Sequence, residues 1–196
     1  MLDEGLPMVD ARIRATRAAL EAAILRLAET ESVAALTVSQ VTDAAGINRA
    51  TFYRHADSPT DLLASVLRED LDRIRADDWR RRTERFDATR LGLIAESVEQ
   101  VADHVERFAA VYRRAFAEPT SGAARYVLID HFTESCEKLM LETEPDRRPA
   151  VPPSLAARYL AYGFTGAVDA WTAQGSTITR AEFVAGVHAM YPDSWN

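Results

Sequence analysis

The amino-acid sequence predicts an all-α fold. Apolar residues recur three and four positions apart along most of the chain, and the two-residue alternation of a half-buried strand is not found. Two capping boxes, Thr37 with Gln40 and Thr179 with Glu182, mark helix starts far apart in the chain. We therefore expect a three-helix module at the N-terminus, a connector helix, and a larger helical domain after it.

The N-terminal module is predicted to occupy residues 9–57 and to begin with a long helix over residues 9–29. The buried face of this helix is expected to carry Ile13, Leu20, Ile24 and Leu27.

Residues 37–55 predict two short helices around a tight turn. The first runs from Val38 to Ala45, and Gly46 follows where a left-handed backbone conformation is expected. Asn48 can cap the second helix. This second helix is predicted to carry Arg49, Thr51, Tyr53, Arg54 and His55. The arrangement is a helix-turn-helix, whose second helix typically offers side chains to phosphates and base edges in a DNA groove.

The connector helix is predicted over residues 58–78. Ser58 can serve as its N-cap, with Pro59 in the first turn and Asp61 at the third position. The arginine-rich stretch from Trp79 to Asp87 is interpreted as a solvated loop, and a second DNA-binding patch is the alternative.

Residues 79–196 are predicted to form the second domain. Its penultimate helix is expected to run from Ser154 to Gln174 and to end at Gly175. Four small residues share one face of this helix: Gly163, Gly166, Ala167 and Ala170. The final helix follows the Thr179 cap, with Phe183, Val187 and Met190 on its inward face. Small residues allow close helix packing, which is compatible either with self-association or with packing inside one chain.

Composition restricts the class of protein. The chain has 196 residues, 47% hydrophobic residues and one cysteine, Cys136, which fits a soluble protein of a reducing cytoplasm. No apolar run is long enough to span a bilayer, so no membrane partner is expected. The net charge of −7 predicts weak non-specific affinity for DNA, although docking depends on the local field. A modest basic patch is expected from Arg12, Arg14, Arg17, Arg49 and Arg54, opposed by Asp43 and Asp57.

Residues 11–67 resemble the DNA-binding module of the tetracycline-repressor (TetR) family of bacterial regulators. The resemblance is carried by Leu36-Thr37-Val38, Ala44-Ala45-Gly46-Ile47-Asn48, Thr51-Phe52-Tyr53-Arg54-His55 and Asp61-Leu62-Leu63. The rest of the chain is similar to the family only loosely, although residues 162–175 look like its dimerisation helix. The resemblance implies a homodimer that binds a palindromic double-stranded DNA operator and is released by a small-molecule effector held in the C-terminal domain.

The family pattern also implies which residues contact DNA. The matching positions are Thr37, Asn48, Arg49, Ala50, Thr51, Tyr53, Arg54 and His55. Arg49 has the geometry to bind guanine O6 and N7, and Ala50 can contact a thymine methyl group. The chain departs from the pattern at Pro59, where the family commonly has Lys or Arg, and at Ala56, where an aromatic residue is usual.

The effector pocket is expected to be apolar and rich in aromatic side chains. Its candidate residues are Phe108, Tyr112, Phe116, Tyr126, Phe132, Tyr162 and Trp171, and each ring could instead simply fill the core. The candidate dimer interface consists of Gly163, Gly166, Ala167, Ala170, Phe183 and Val187.

Other functions are less well supported by the residues. The histidines are scattered without metal-ligand spacing, so no catalytic site, metal or cofactor is expected. The cluster Glu96, Glu99, Asp103 and His104 lies partly on one helical face and is interpreted as a solvated acidic face, with cation binding as the alternative. His131 with Glu134 is interpreted as a surface pair. A redox- or non-ligand-responsive regulator with the same fold is the alternative, because Cys136 could act as a switch rather than as a small hydrophobic residue.

Overall fold

The computed structural model describes residues 6–84, 90–118, 122–143, 145, 148 and 150–191. In these residues the fold consists of helices joined by turns and loops. No strand occurs among these residues, and the predicted all-α class is confirmed. The N-terminal module contains α1 (Leu6–Thr30), α2 (Val38–Ala45) and α3 (Arg49–Phe52). The connector is α4 (Pro59–Glu84), and the C-terminal domain contains α5 (Arg90–Arg107), α6 (Ala109–Ala117), α7 (Ala123–Glu142), α8 (Pro153–Thr172) and α9 (Arg180–Ala189).

Local hydrogen bonds fix the helix ends that the sequence predicts. The Thr37 hydroxyl accepts from the Gln40 backbone N–H, and the Gln40 side chain accepts from the Thr37 backbone N–H. The same reciprocal box joins Thr179 and Glu182 at the start of α9. Gly46 has a φ of 68°, a left-handed conformation in which an L side chain would be strained. Both capping boxes and the turn are therefore confirmed.

The connector helix is longer than predicted. Trp79 to Glu84 continue α4, so the interpretation of this stretch as a loop is wrong up to residue 84, and residues 85–87 lie outside the described part. Acidic partners one turn earlier support the arginines: Arg80 donates to Asp77 at 2.8 Å and Arg82 to Asp78 at 2.7 Å.

The connector links the two domains through continuous packing. It contacts α1 in the module and α5 and α7 in the C-terminal domain. Leu63, Leu67 and Leu71 on α4 are buried in a hydrophobic core that also includes Leu20 and Ile24 of α1. A displacement of α4 would therefore be transmitted directly to the module.

Two predicted core residues lie on the surface instead. Ile13 is 52% exposed because the first half of α1 extends beyond the helices that cover Leu20 and Ile24. Met190 follows the last turn of α9 and is also exposed.

No helix in the described part of the chain is long and apolar enough to cross a membrane.

Asp70, His104 and Tyr112 form a chain of buried hydrogen bonds, the buried relay, which joins α4, α5 and α6. Asp70 accepts a hydrogen bond from His104 Nδ1 at 2.7 Å, and His104 Nε2 lies 2.7 Å from the Tyr112 hydroxyl. Hydrogen bonding to His104 lowers the pKa of Asp70 to about 2, and burial lowers the pKa of His104. His104 is therefore neutral at pH 7, donates its Nδ1 proton to Asp70 and accepts the Tyr112 proton at Nε2.

Candidate nucleic-acid interface and internal cavity

The second helix of the helix-turn-helix exposes most of the residues that were predicted to contact DNA. Phe52 is fully buried and anchors α3 in the module. Exposed around it are Thr37, Asn48, Arg49, Ala50, Tyr53 and Arg54, whereas Thr51 and His55 are half-buried. The fold thus brings these side chains to one end of the module, on adjoining elements α2 and α3.

The second helix of the helix-turn-helix, α3 (the reading helix), is shorter than predicted. α3 ends at Phe52 with Tyr53 as its C-cap, so Arg54 and His55 lie in the turn that follows the helix. His55 N–H still donates to the Phe52 carbonyl at 2.8 Å, which holds this turn against α3. Four helical residues suffice here because the Asn48 cap and the buried Phe52 fix both ends.

Asn48 and Thr37, the N-cap residues of α3 and α2, differ in the hydrogen-bond donors that they do not use within the chain. Asn48 accepts the Thr51 backbone N–H at 2.8 Å through Oδ1, and its amide NH₂ makes no contact within the described residues. That amide can donate to a phosphate or a base. The Thr37 hydroxyl already donates to Gln40 Oε1 at 2.8 Å, so a phosphate bond from this hydroxyl would require its proton to leave the capping box.

The arginines of the interface are held differently. The Arg49 guanidinium contacts the Ser39 hydroxyl on α2, so its Nη2 is partly engaged while the side chain remains exposed. Arg54 lies 3.5 Å from the Thr51 hydroxyl, a weak contact that leaves its donors available. Binding guanine would need Arg49 to exchange its hydrogen bond to the neutral Ser39 hydroxyl for a bidentate pair with the base.

The basic patch is smaller than the sequence suggests. Arg17, which was assigned to it, donates to Glu21 at 2.7 Å and also contacts Glu69 on α4. These carboxylates raise the pKa of Arg17 and use its charge to tie α1 to the connector. Arg12 and Arg14 remain exposed on α1.

Pro59, the first residue of α4, is buried and not exposed at the surface. It is buried at the start of α4, where the Ser58 hydroxyl accepts the Asp61 backbone N–H at 3.1 Å and donates to the Asp61 carboxylate at 2.7 Å. The first turn of α4 therefore presents an exposed acid, Asp61, and no cation.

An internal cavity lies beside the connector, between α4, α5 and α7. Its volume is about 60 Å³. Its apolar lining includes Ile74, Ile94, Val98, Val101, Phe132 and Leu139. Ligand pockets usually measure about 300–1,000 Å³. A ligand larger than this cavity must therefore push the three helices apart.

The predicted aromatic pocket does not form as a single site. Of the seven rings, only Phe132 lines the cavity. Phe108 and Phe116 pack beside Tyr112, whose hydroxyl is used by the buried relay. Trp171 stacks on Phe183 with 4.2 Å between ring centroids, while Tyr126 and Tyr162 are 58% and 51% exposed. The helical period places these rings on several different faces, which composition alone did not resolve.

His131 belongs to the cavity and not to the surface, so the predicted surface pair with Glu134 is corrected. It is 5% exposed, and Glu134 instead accepts from Arg75 at 2.6 Å. The signal was present in the sequence, because His131 follows Leu128 by three residues on the face that also carries Phe132 and Cys136. Burial and the nearby Arg75 charge lower the pKa of His131 to about 3.

Cys136 also lines the cavity, as a protonated thiol. Burial raises its pKa to about 12, so the reactive thiolate is scarce at neutral pH. This environment matches a small hydrophobic residue and disfavours a redox switch.

Lowering the pH from 7 to 5 is expected to destabilise the protein through His131. An unfolded histidine titrates near 6.5 and the folded one near 3, so between these values the unfolded chain binds a proton that the folded chain does not. The free energy of unfolding must therefore fall as the pH is lowered, by about 2 kcal/mol at pH 5. His104, whose pKa is also lowered, acts in the same direction. Urea unfolding at both pH values measures this, and His131→Phe should flatten the dependence. An equal slope in the variant and the wild type would contradict the assignment.

The candidate interface residues divide into two groups. Gly163, Gly166 and Ala170 are exposed on α8, and Ala167 is half-buried. Phe183 and Val187 are buried in the chain's own core, so they are not available to a partner, which corrects their assignment. The same face of α8 exposes Leu155, Tyr159 and Tyr162, one helical turn apart in succession.

The acidic cluster on α5 is occupied by an arginine of α9. Arg180 contacts Glu99 at 2.7 Å, Asp103 at 2.6 Å and Glu106 at 2.7 Å. This network fastens the start of α9 to α5, which is a structural role for the cluster.

Comparison with known proteins gives a family match for the module. Residues 20–66 match the family described as bacterial regulatory proteins, tetR family, and this confirms the resemblance. No curated protein matches the chain.

Solved structures share the fold over nearly the whole chain. A protein described as a TetR-family transcriptional regulator of Syntrophomonas wolfei str. Goettingen is 14% identical, with a TM-score of 0.68 and coverage of 90% of this chain and 92% of that one. The fatty acid degradation regulator FadR of Bacillus halodurans is 16% identical, with a TM-score of 0.65 and coverage of 89% and 93%. The dihydroxyacetone kinase operon activator DhaS is 14% identical, with a TM-score of 0.55 and coverage of 89% and 90%.

Proposed function

We propose that the chain, whose residues 20–66 match the TetR family of bacterial regulatory proteins, is a homodimeric transcriptional repressor that a small apolar effector releases from DNA. The observation that carries the proposal is the helix-turn-helix itself, which is capped at Thr37 and Asn48 and exposes Arg49, Tyr53 and Arg54. A role in regulating transcription is supported by the family match and by the shared fold.

Each subunit of the proposed dimer places one α3 in the major groove. A palindromic operator would then have two half-sites separated by about 34–36 Å, one turn of DNA. The proposed interface is the exposed face of α8, where an added Cβ at Gly163 or Gly166 meets no described atom within 4 Å beyond the local backbone. A second copy fits this face because small residues allow close helix approach and the exposed apolar side chains around them favour burial.

The proposed effector binds the cavity between α4, α5 and α7. The mostly apolar lining favours a mostly apolar ligand. The cavity is smaller than most ligands require, so binding favours a conformation in which α4 has moved. Because α4 also packs on α1, this movement would change the separation of the two reading helices. A coupling free energy of about 1–3 kcal/mol would change operator affinity by roughly 5- to 150-fold.

Footprinting tests the proposed function. Purified protein is added to DNA upstream of its own gene and, in parallel, to a random-sequence pool for selection. We expect a protected or enriched palindrome with half-sites about one helical turn apart. Selection without an enriched palindrome would reject the proposal.

Arg49→Ala and Tyr53→Phe are expected to weaken operator binding in different ways. Loss of a bidentate guanine contact should cost about 1–3 kcal/mol and relax preference at one base pair. Loss of the Tyr53 hydroxyl should weaken all sequences alike, by about 1 kcal/mol. Mobility-shift titrations on the operator and on single-base variants measure both effects. Arg80→Ala, which removes an exposed arginine at the far end of α4, is the control, and normal binding by both test variants would show that α3 is misplaced on DNA.

A further inference from the structure

One end of the cavity carries hydrogen-bond donors without acceptors. Arg75 Nη2 lies 3.3 Å from His131 Nδ1. Because a guanidinium can only donate, Nδ1 must accept, and the imidazole proton must reside on Nε2. This Nε2–H has no hydrogen-bond partner among the described residues, although His131 is almost completely buried and lines the cavity.

Two neighbouring groups add to this donor-rich end. Ser135 lies one helical turn after His131, lines the same cavity, and its hydroxyl is likewise without a partner in the described part of the chain. Arg75 Nε is buried and makes no hydrogen bond. Buried polar groups in folded proteins are nearly always satisfied, so the unpaired Arg75 Nε–H and the unpaired N–H of the buried His131 indicate that an acceptor fits at this end of the cavity, beside the half-buried Ser135.

The acidic residue of the cavity does not supply this acceptor. Asp78 accepts from Arg82 at 2.7 Å and from the Ser97 hydroxyl, so its carboxylate is engaged on the α5 side. Glu134 and Asp72 bind Arg75 through Nη1, at exposed positions outside the buried end. None of these three carboxylates accepts a hydrogen bond from His131 Nε2–H or from Arg75 Nε–H.

We propose that the effector is a molecule of about one ring in size whose acceptor oxygen, a carbonyl or a carboxylate, is bound by His131 Nε2–H beside Ser135. This inference rests on the proposed function, in which the cavity is the effector site. The remainder of the ligand lies against Val98, Val101 and Phe132, which supply burial without directional bonds. The apolar lining gives affinity, and His131 discriminates between ligands, because a ligand without an acceptor leaves a buried donor unpaired.

Three matched probes test the proposal: acetophenone, benzoate, and ethylbenzene, which replaces the carbonyl of acetophenone by a methylene group. Titration calorimetry of the wild-type protein should give at least about tenfold tighter binding of acetophenone or benzoate than of ethylbenzene. Comparison of the first two separates a neutral carbonyl from a carboxylate. His131→Phe should reduce the preference to less than about twofold, whereas the control His188→Phe on α9 should retain it.

A second measurement does not depend on a variant. In wild-type protein with ¹⁵N-labelled histidine, the bound acceptor should shift the His131 Nε2–H resonance downfield. Equal binding of all three probes, no binding of any, an unchanged preference in His131→Phe, or an unmoved resonance would each overturn the proposal. Operator footprinting of the unliganded protein is scored separately, so a failure to bind DNA would reject the regulator while leaving the ligand site standing.

Discussion

A Gly166→Arg variant is expected to fold as a monomer that has lost high-affinity operator binding. Gly166 is exposed on α8, and a Cβ added there meets no described atom within 4 Å beyond the local backbone. In the proposed dimer the same position faces the second copy, where a large cation would separate the two helices. Replacing a mid-helix glycine should also favour the helix itself by up to about 1 kcal/mol, so loss of binding would not reflect unfolding.

The expected loss is large because the two half-sites are bound together. A linked second contact typically contributes 10²- to 10⁴-fold, so the monomer should bind the palindrome at least about 100-fold more weakly. Light scattering after size exclusion gives the mass, and mobility shift gives the affinity. Ala76→Arg, an exposed site on α4, adds the same side chain elsewhere and should stay dimeric. A dimeric Gly166→Arg protein with normal operator affinity would show that the interface lies on another surface.

Features fixed by neighbours in sequence were predictable. Thr37 and Gln40 close a capping box within four residues, and Gly46 supplies the one backbone conformation that the turn needs. These bonds depend on local geometry alone. For that reason the helix-turn-helix and its exposed residues follow from the sequence with few errors.

Features fixed by distant neighbours were not predictable in the same way. Ile13 fits the apolar pattern of α1, but no helix covers that part of it. Tyr126 and Tyr162 are aromatic yet exposed, because composition does not report which helical face packs inward. The Arg80–Arg82 segment looked like a loop by composition, although Asp77 and Asp78 one turn earlier indicated helix-stabilising pairs.

The candidate ligand site could not be predicted for the same reason, because it depends on residues that are distant in sequence. His131 was assigned to a surface pair with Glu134, since its actual partner Arg75 is 56 residues away in sequence. The tautomer that makes it a donor depends on that partner. Sequence periodicity could place His131 on the inward face of its helix, but only the packing of α4 against α7 reveals the unpaired N–H.

Asp70→Ala is expected to destabilise the folded protein by about 3 kcal/mol. Asp70 on α4 accepts the Nδ1 proton of His104 on α5, and His104 accepts the Tyr112 hydroxyl proton on α6. Removing the carboxylate leaves the N–H of the fully buried His104 without its acceptor. Arg107 and Arg73 also lose their contacts with Asp70, but both are largely exposed and can return to solvent at small cost.

The free energy of unfolding from urea titrations at pH 7 measures this loss. Asp72→Ala is the matched control, since Asp72 lies two residues further along α4, is 49% exposed and pairs only with Arg75 at the surface. The control should cost less than about 1 kcal/mol. Because the relay joins α4 to both α5 and α6, its loss should also loosen the connector and weaken operator binding at temperatures where the protein is still folded. A loss no greater for Asp70→Ala than for Asp72→Ala would mean that the relay does not hold these three helices together.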